Sequence, residues 1–463
     1  MKAKYFITII LYSLFIIIQS TVFTSCKKFI EVDNPNDQLN SDVVFLDSST
    51  ATSAITGIYS DMLTNRSLFS NSAITLYGGM SADELYSYSP GVKDEFTNNQ
   101  ITQVNHINID NAFWKPAYKY IYDANLAIEK LSKSLLLSVS LKNQLIGEAK
   151  FIRAFCYFHL VNLFGDVPLI TYTKYRNTAI APRVSKNDIY AQIIDDLNEA
   201  KTLLSTQYVS SERVRPNKWA ASALLARCYL YTNRWQEAES ESNAIIESGV
   251  YSLETNLNNV FLKSSSEAIW QLKPVRPGFN TYEGLEILPS SPFSYPTYLV
   301  TSSLRNSFEN GDNRKSSWIN SRVYNSDTLY FSFKYKVPNG TTLTEYYMVF
   351  RLAEQYLIRA EAELNQNKIP DAKADINVIR SRAGLSNTLA NDIPSLKLAL
   401  EQERRSELFC EWAHRWYDLK RTGRATDILA PLKGSSWQST DVLWPIPQQE
   451  INLNPSLTQN PGY

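Results

Sequence analysis

The sequence predicts a mostly α-helical protein in which tetratricopeptide-type helix hairpins form the scaffold and one irregular, loop-rich insert adds a few short strands. Three observations predict this fold class: long segments with apolar residues at three- and four-residue steps, a hairpin pattern that occurs twice, and a stretch rich in aromatic residues and prolines with no lasting helical period. The 463 residues are 44% hydrophobic, which is enough apolar surface for a large core.

The helical pattern is clearest in the segments from Phe113 to Leu131 and from Leu141 to Phe164, which predict two helices. Gly165 directly follows the second segment, and a proline comes soon after it, so we expect the helix to end there. The spacing Ser185-x-x-Asp188 predicts a capping box at the start of another helix of about five turns.

Two later segments share a hairpin pattern. In each, an apolar helix ends at an asparagine-containing turn and a second helix with an early alanine follows, which is typical of a tetratricopeptide hairpin. Because the two copies are separated, we expect one helical scaffold with an insertion rather than a free-standing solenoid. A shift of 134 positions aligns Ala226 with Ala360, Leu230 with Leu364, Asn233 with Asn367, Arg234 with Lys368, Glu237 with Asp371 and Ala238 with Ala372.

The insertion spans residues 274–348 and holds 14 of the chain's aromatic residues, about 19% of the segment against 12% in the whole chain. Thr328 to Lys336 alternates as a strand does, and Val337 to Gly340 predicts a turn before a second strand near Tyr346 to Phe350. Three aromatic residues share one face of the first strand and are predicted to lie in the core: Phe331, Phe333 and Tyr335.

Charge and composition exclude several classes of protein. The chain has 46 Lys and Arg against 46 Asp and Glu, and its basic residues do not cluster, which argues against nucleic-acid binding. Phosphate-cradling glycine motifs, the H-E-x-x-H zinc motif and the G-x-S-x-G nucleophile motif do not occur in the sequence. We therefore predict no catalytic residue, no metal site and no cofactor.

The first 26 residues predict export. Lys2 and Lys4 precede an apolar run from Tyr5 to Ile18 of about 14 residues, which is shorter than the roughly 20 residues of a membrane-spanning helix, and small residues follow it. The segment Phe23-Thr24-Ser25-Cys26 resembles the bacterial lipobox, with Phe23 in place of the usual leucine. The alternative is an ordinary signal peptide with an incidental cysteine.

This pattern predicts a lipoprotein signal peptide over residues 1–25, a lipidated tether over residues 26–41 that is attached to the membrane through Cys26, and a single globular domain over residues 42–463. The other three cysteines, Cys156, Cys228 and Cys410, lie in apolar helical patterns and are predicted to be buried free thiols. His159 lies in an apolar helix and is predicted to be a buried, hydrogen-bonded histidine rather than a metal ligand.

Several segments, in order along the chain, resemble the SusD/RagB family of surface lipoproteins that serve nutrient uptake in Bacteroidetes. Each is a short motif, and together they are distributed over essentially the whole span of the mature chain: Thr56–Tyr59 with Ser81–Glu84, Ile152–Phe158 with Leu163–Leu169, Glu403–Leu408 with Arg415–Gly423, Pro445–Ile451, and Asn454–Tyr463.

One position departs from the family pattern. Ala413 stands where many members have glycine, and we interpret it as a helix residue for which alanine is harmless. The charged residues around it have helical spacing that favours structural ion pairs, with Trp416 and Leu419 facing inward. These charged residues are Glu403, Arg404, Arg405, Glu407, Arg415 and Asp418.

The resemblance implies a SusD-like fold and a non-catalytic outer-membrane lipoprotein, lipid-anchored and exposed at the cell surface. Such a protein captures a glycan and hands it to a TonB-dependent SusC-like transporter, over which it acts as a hinged lid. Three alternatives remain open from the sequence: an oligopeptide-binding protein of the RagB type, a glycan hydrolase that uses two carboxylates, and a tetratricopeptide adaptor.

The aromatic insert supplies candidate ligand-binding residues. Flat rings stack on the apolar C–H faces of sugars, while polar side chains hydrogen-bond the hydroxyl groups around them. We predict a composite site in which residues of the insert join an amino-terminal group: Tyr282, Tyr295 and Trp318 from the insert, and Asp83, Tyr86 and Tyr88 from the amino-terminal group.

Overall fold

The computed structural model describes residues 4–7, 41–65, 68–89 and 91–463. The chain divides into two units, Met1–Val44 and Phe45–Tyr463. In the first unit, the described residues are a helical turn at 4–7 and the short helix α1 (Ser41–Val44). Cys26, together with most of the predicted signal peptide and tether, lies outside the described residues.

Helices make up most of the second unit, as the sequence predicts. A π-helical turn over Asp110–Trp114 runs directly into α6. In chain order the helices are α2 (Ser48–Thr64), α3 (Ala73–Ser81), α4 (Asp94–Asn98), α5 (Gln103–Ile109), α6 (Lys115–Lys133), α7 (Val139–Phe164), α8 (Tyr175–Thr178), α9 (Lys186–Leu203), α10 (Lys218–Tyr231), α11 (Trp235–Glu247), α12 (Tyr282–Ile287), α13 (Ser302–Ser307), α14 (Asn313–Trp318), α15 (Leu352–Asn365), α16 (Ile369–Arg382), α17 (Ile393–Leu408), α18 (His414–Arg421), α19 (Ala425–Lys433) and α20 (Gln448–Leu453).

Short strands of the described residues pair into two-stranded antiparallel sheets. The pairs are β1 (Leu85–Ser87) with β5 (Tyr298–Val300), β2 (Val167–Pro168) with β3 (Arg183–Val184), β4 (Ala268–Leu272) with β8 (Tyr347–Arg351), and β6 (Ile319–Tyr324) with β7 (Asp327–Ser332). Within the described ranges, no helix combines the length and the apolar character that a membrane span requires.

The predicted helix boundaries have the expected physical causes. Helix α7 ends at Gly165, whose φ of 72° lies in the left-handed region that favours glycine. Helix α9 begins after Ser185, whose Oγ accepts a hydrogen bond from the backbone N–H of Asp188 at 3.2 Å and donates one to its carboxylate at 2.7 Å.

Both predicted hairpins are present, as α10–α11 and α15–α16. Asn233 and Asn367 occupy equivalent turn positions, with φ of 59° and 62°, a left-handed conformation that asparagine adopts more readily than most residues. Each turn is closed by a hydrogen bond to the preceding helix, from Arg234 N–H at 2.8 Å and from Lys368 N–H at 2.9 Å. Helix α11 packs against α15, so the two copies form one continuous scaffold.

The strands of the insert are paired differently from the prediction. The sequence suggests that the segment from Thr328 and the segment near Tyr346 form one hairpin, but β7 pairs with β6 through a tight turn at Asn325 and Ser326, both at positive φ. Strand β8 pairs instead with β4, which precedes the insert. Of the three predicted core aromatics, Phe331 and Tyr335 are buried and Phe333 is half-buried.

A network of buried ion pairs joins α14, β8, α16 and α17. Glu407 accepts hydrogen bonds from Arg351 at 2.5 Å, from Arg314 at 3.2 Å and from Arg382. Burial disfavours the charged carboxylate, but the three guanidinium groups outweigh that effect and hold the pKa of Glu407 well below its ordinary value.

The other charged residues of the α17–α18 region also form ion pairs, as predicted, but most of their partners lie on other elements and not at helical spacing along the same helix. Arg404 Nε lies 2.7 Å from Asp418, and Arg380 Nη1 lies 2.8 Å from Glu403. Trp416 and Leu419 are buried, as expected.

Our interpretation of Ala413 as a helix residue is wrong. It precedes α18 with φ of 59°, in the left-handed region where glycine is less strained than alanine. Gly78 of α3 packs directly against it: a Cβ atom at position 78 would lie 2.3 Å from the Ala413 Cβ. The missing side chain at position 78 therefore leaves room for the one at position 413.

The predicted core residues elsewhere are buried. Cys156, Cys228 and Cys410 are buried free thiols. His159 is buried, and its Nδ1 lies 3.2 Å from the Tyr417 hydroxyl oxygen.

We predict that Gly78→Ala lowers the free energy of unfolding by about 1–3 kcal/mol, because the added methyl overlaps the Ala413 side chain. In an Ala413→Gly background the overlapping side chain is absent, so Gly78→Ala should lower the free energy of unfolding by less. Chemical denaturation followed by circular dichroism measures both values.

Gly57→Ala is the matched control. A Cβ at position 57 of α2 meets nothing within 4 Å, so we expect no loss and a gain of up to about 1 kcal/mol from helix propensity. An equal cost of Gly78→Ala in both backgrounds would contradict the proposed contact.

Candidate functional site

The β1–β5 sheet brings the amino-terminal segment against the insert. Tyr86 pairs with Leu299, and the N–H of Tyr88 donates to the Thr297 carbonyl at 2.9 Å. Side chains alternate along β1, so Leu85 faces the core and Tyr86 faces solvent. Residues more than 200 positions apart in sequence thus share one surface.

Three tyrosines form the aromatic surface that we name the tyrosine patch: Tyr88, Tyr295 and Tyr324. Ring centroids lie 4.5 Å apart for Tyr88 and Tyr295, 5.3 Å for Tyr295 and Tyr324, and 6.0 Å for Tyr88 and Tyr324. The corresponding angles between ring planes are 41°, 67° and 90°. These are the offset and edge-to-face arrangements that aromatic rings favour.

The patch is open to solvent. Tyr295 is exposed, and Tyr88 and Tyr324 are half-buried. Phe293, two residues before Tyr295, is 90% exposed, and the Ser89 hydroxyl lies 3.3 Å from the Tyr295 hydroxyl. Exposed aromatic rings next to hydroxyl groups are typical of a surface that binds a ligand with both apolar and polar parts.

The turn that carries Phe293 is held in place. The Ser291 N–H donates to Ser294 Oγ at 2.8 Å, and Arg322 of β6 donates to the Ser294 carbonyl at 2.9 Å and to the Ser291 carbonyl. The turn is therefore attached to the same hairpin that carries Tyr324.

The structure places the six predicted site residues in two groups. Tyr86, Tyr88 and Tyr295 lie together at the exposed surface. Asp83, Tyr282 and Trp318 are buried.

Trp318 and Tyr282 are packing residues, and their burial is at odds with the expectation that they face a ligand. Trp318 is fully buried, its Nε1–H donates to the Leu257 carbonyl at 2.9 Å, and its ring packs edge-on against Phe261. Tyr282 is buried and accepts a hydrogen bond from Arg276 at 3.3 Å. The aromatic excess of the insert thus serves partly to attach the insert to the scaffold.

Asp83 supports the site without being exposed. It lies 2.9 Å from Arg415 and also pairs with Arg405, both from the carboxyl-terminal third of the chain. Burial disfavours its charge, but the two guanidinium groups outweigh burial and hold the pKa of Asp83 below its ordinary value. Its carbonyl accepts a hydrogen bond from Thr301 Oγ at 2.6 Å, directly beyond β5.

Tyr324 is the patch residue that the prediction missed. It is one of the aromatic residues of the insert, but nothing in the local pattern places the β6–β7 hairpin over residue 295. The signal that could have found it is the Asn325-Ser326 pair, because a two-residue turn directly after Tyr324 puts that tyrosine at the end of a hairpin.

A cavity of about 570 Å³ lies elsewhere, between α17, α18 and the ends of the two hairpins. Its acidic groups already have partners: Glu361 pairs with Arg421 at 2.6 Å, and Glu401 pairs with Arg415 at 3.1 Å. Among the residues that the structure describes, no group of three or more His, Cys, Asp or Glu side chains is arranged to hold a metal ion. The tyrosine patch is therefore the candidate site.

Two family models match the chain. One, SusD-like and described as starch-binding and associating with outer membrane, matches residues 28–230, and the model of the SusD family matches residues 279–463. A SusD-like protein of Formosa agariphila is 27% identical over 518 residues, an alignment that covers 95% of this chain and 97% of that protein.

Solved structures share the fold. A SusD superfamily protein from Bacteroides vulgatus superposes with a TM-score of 0.79 at 22% identity, covering 90% of this chain and 100% of the other. A laminarin-binding SusD-like protein superposes with a TM-score of 0.72 at 23% identity, covering 90% of this chain and 99% of the other. The predicted mostly helical, SusD-like fold is confirmed.

Glu84 is buried directly before β1, and its carbonyl accepts a hydrogen bond from the Thr301 N–H at 2.9 Å, next to β5. Its carboxylate accepts a hydrogen bond from the Cys410 N–H at 3.2 Å. Burial, together with the neighbouring charge of Asp83, raises the pKa of Glu84 to about 8.

We predict that Glu84→Gln removes part of the pH dependence of stability. Between about 4.5, the pKa of an ordinary glutamate, and about 8, the folded state holds a proton that the unfolded state has lost. The stabilising contribution of Glu84 is complete below the lower value and is lost as the pH rises through the upper one. In thermal melts from about pH 5 to about pH 9, the melting temperature of wild type should therefore fall relative to that of the variant. A difference in melting temperature that does not change with pH would contradict this assignment.

Proposed function

The chain belongs to the SusD/RagB family of non-catalytic binding proteins, and on that premise we propose that it is a cell-surface lipoprotein that binds an oligosaccharide or polysaccharide. In this proposal it delivers the glycan to a TonB-dependent SusC-like outer-membrane transporter, over which it acts as a lid. The observation that carries the ligand assignment is the exposed tyrosine patch.

The geometry of the patch suits a sugar polymer. Sugars present apolar C–H faces that stack on aromatic rings, and tyrosine adds a hydroxyl group that donates and accepts hydrogen bonds. Three rings inclined to one another by 41° to 90° cannot all lie against one flat sugar ring. We therefore assign to the patch an oligomeric ligand, with successive sugar units on different rings.

The charge distribution favours a neutral ligand. The chain has equal numbers of acidic and basic residues, and the guanidinium group of Arg322 beside the patch is hydrogen-bonded to the Ser291 and Ser294 carbonyls. A strongly anionic polymer would find no excess of cations in the residues that form the patch.

Two further parts of the proposal concern the membrane. The family model that matches residues 28–230 is described as associating with outer membrane, which supports location at that membrane. Acylation of Cys26 would attach the chain to it, and a SusC-like barrel would be the partner that receives the ligand.

We predict that Tyr295→Ala and Tyr324→Ala each weaken glycan binding at least tenfold, a loss of about 1.4 kcal/mol or more, because each removes a stacking surface. Calorimetric titration of the chain with soluble polysaccharides measures the affinity. Melting temperatures should change little, since Tyr295 is exposed and Tyr324 half-buried.

Tyr122→Ala is the matched control, because Tyr122 is an exposed tyrosine on α6 outside the patch, and this variant should bind as wild type does. Unchanged affinity of both patch variants would refute the site. Binding of oligopeptides alone would favour a peptide carrier of the RagB type.

We predict that Cys26→Ala abolishes incorporation of a fatty-acid analogue, because the thiol that is acylated is gone. Metabolic labelling followed by gel fluorescence measures incorporation. Cys228→Ala is the control and should label as wild type does, because Cys228 is a buried thiol. Equal labelling of wild type and Cys26→Ala would show that the lipid is not on this residue.

A further inference from the structure

The loop between α6 and α7 exposes apolar side chains to solvent. Leu135 is 95% exposed, Leu136 is 71% exposed, and Val139 at the start of α7 is 69% exposed. Single exposed apolar residues are ordinary, but three within five positions form a local apolar surface that the described residues leave uncovered.

The loop holds this surface outward by fixed contacts on both sides. Leu137 is buried, and the Ser134 hydroxyl donates to the Phe45 carbonyl at 3.2 Å. Ser138 caps α7 by accepting a hydrogen bond from the Leu141 N–H at 3.3 Å. Because its ends are attached in this way, the loop cannot turn Leu135 and Leu136 into the core.

The apolar surface is flanked by positive charge. Between positions 130 and 142 the chain carries Lys130, Lys133 and Lys142 and no acidic residue; Lys133 is exposed, and Lys142 Nζ donates to the Ser134 carbonyl at 3.3 Å. Lysines beside exposed leucines suit a lipid surface, because the aliphatic part of the side chain lies along the apolar region while the ammonium group reaches anionic headgroups.

The loop also lies next to the point where the anchored chain enters the globular unit. Ser134 contacts Phe45, the first residue of that unit, and Phe45 is nineteen positions after Cys26. A chain of that length extends at most roughly 65 Å, so a lipid on Cys26 would hold Phe45 within that distance of the bilayer.

We propose that Leu135, Leu136 and Val139 insert between the lipids of the outer leaflet as a second membrane contact, which sets the orientation of the globule. The proposal rests on the lipid anchor at Cys26. An acyl anchor alone leaves a protein able to rotate about its tether. A second contact on one face defines which side of the protein faces the membrane and which side faces outward.

The test uses the full-length acylated chain on vesicles of phosphatidylethanolamine and phosphatidylglycerol. Leu135→Cys is labelled with an environment-sensitive fluorophore, and Leu136→Cys is a second position. The native thiols Cys156, Cys228 and Cys410 are buried, and unsubstituted protein serves as the labelling blank. We expect a blue shift of the emission on vesicles and strong quenching by lipids that carry a nitroxide on the acyl chain.

Leu389→Cys is the matched control, because Leu389 is 91% exposed in a different loop, and its label should show neither change. Flotation of the vesicles is measured in parallel. If the chain floats but the labels at positions 135 and 136 behave like the label at position 389, the loop proposal fails while the anchor stands. If the acylated chain does not float, the anchor fails and the loop proposal fails with it. A response that requires a reconstituted SusC-like barrel would overturn the lipid contact in favour of a protein contact.

Discussion

The buried carboxylate of Glu407 is the interaction on which the rest of the structure depends. It receives Arg314 from the insert, Arg351 from β8 and Arg382 from the second hairpin, which are three separate structural segments. Removing one member of such a buried network leaves an uncompensated charge, which typically costs about 3–5 kcal/mol. The network is therefore satisfied only when scaffold and insert are assembled together. The main effect of the network is to fix the relative positions of these segments. Its net contribution to stability is smaller, because well-packed apolar residues at the same positions could stabilise the fold equally well.

The ligand surface depends on the same connection. Arg314 and Trp318 lie on α14, directly before β6, and α14 is attached to the core by the arginine and by the buried indole ring. Strand β6 then carries Arg322, which holds the turn bearing Phe293, and Tyr324, which completes the tyrosine patch. The buried aromatic residues of the insert thus position the exposed ones, and this division of roles explains why the segment is so rich in aromatic side chains.

The sequence predicts the structural features that depend on neighbouring residues. It does not predict those that depend on contacts between residues far apart in the chain. The helices around residues 113–164 and both hairpins follow from apolar periodicity, from Gly165 and from the paired asparagines, all of which are local signals. The partner of β8 and the burial of Trp318 depend on contacts with residues about sixty to eighty positions away, which a single sequence does not show. The pairing of β7 with β6 is local, and its signal is the two-residue turn at Asn325 and Ser326. Ala413 illustrates a third case: it directly precedes a helix but has a left-handed backbone, and its side chain fits because Gly78, from the other end of the chain, has none. Three of the six predicted site residues lie at or beside the patch, because the amino-terminal group and the insert do meet. The other three are buried, and the prediction failed for them because composition does not distinguish a packed aromatic residue from an exposed one.

The pairing of β1 with β5 determines when the tyrosine patch is complete. Residues 85–87 meet residues 298–300, and Asp83 is held by Arg405 and Arg415, so closing this surface joins the beginning of the globular unit to its last third. Contacts with such large sequence separation form late in folding, because a long loop must be ordered first. During synthesis from the amino end, Tyr88 therefore emerges more than 200 residues before Tyr295 and Tyr324, so the candidate site is completed only late.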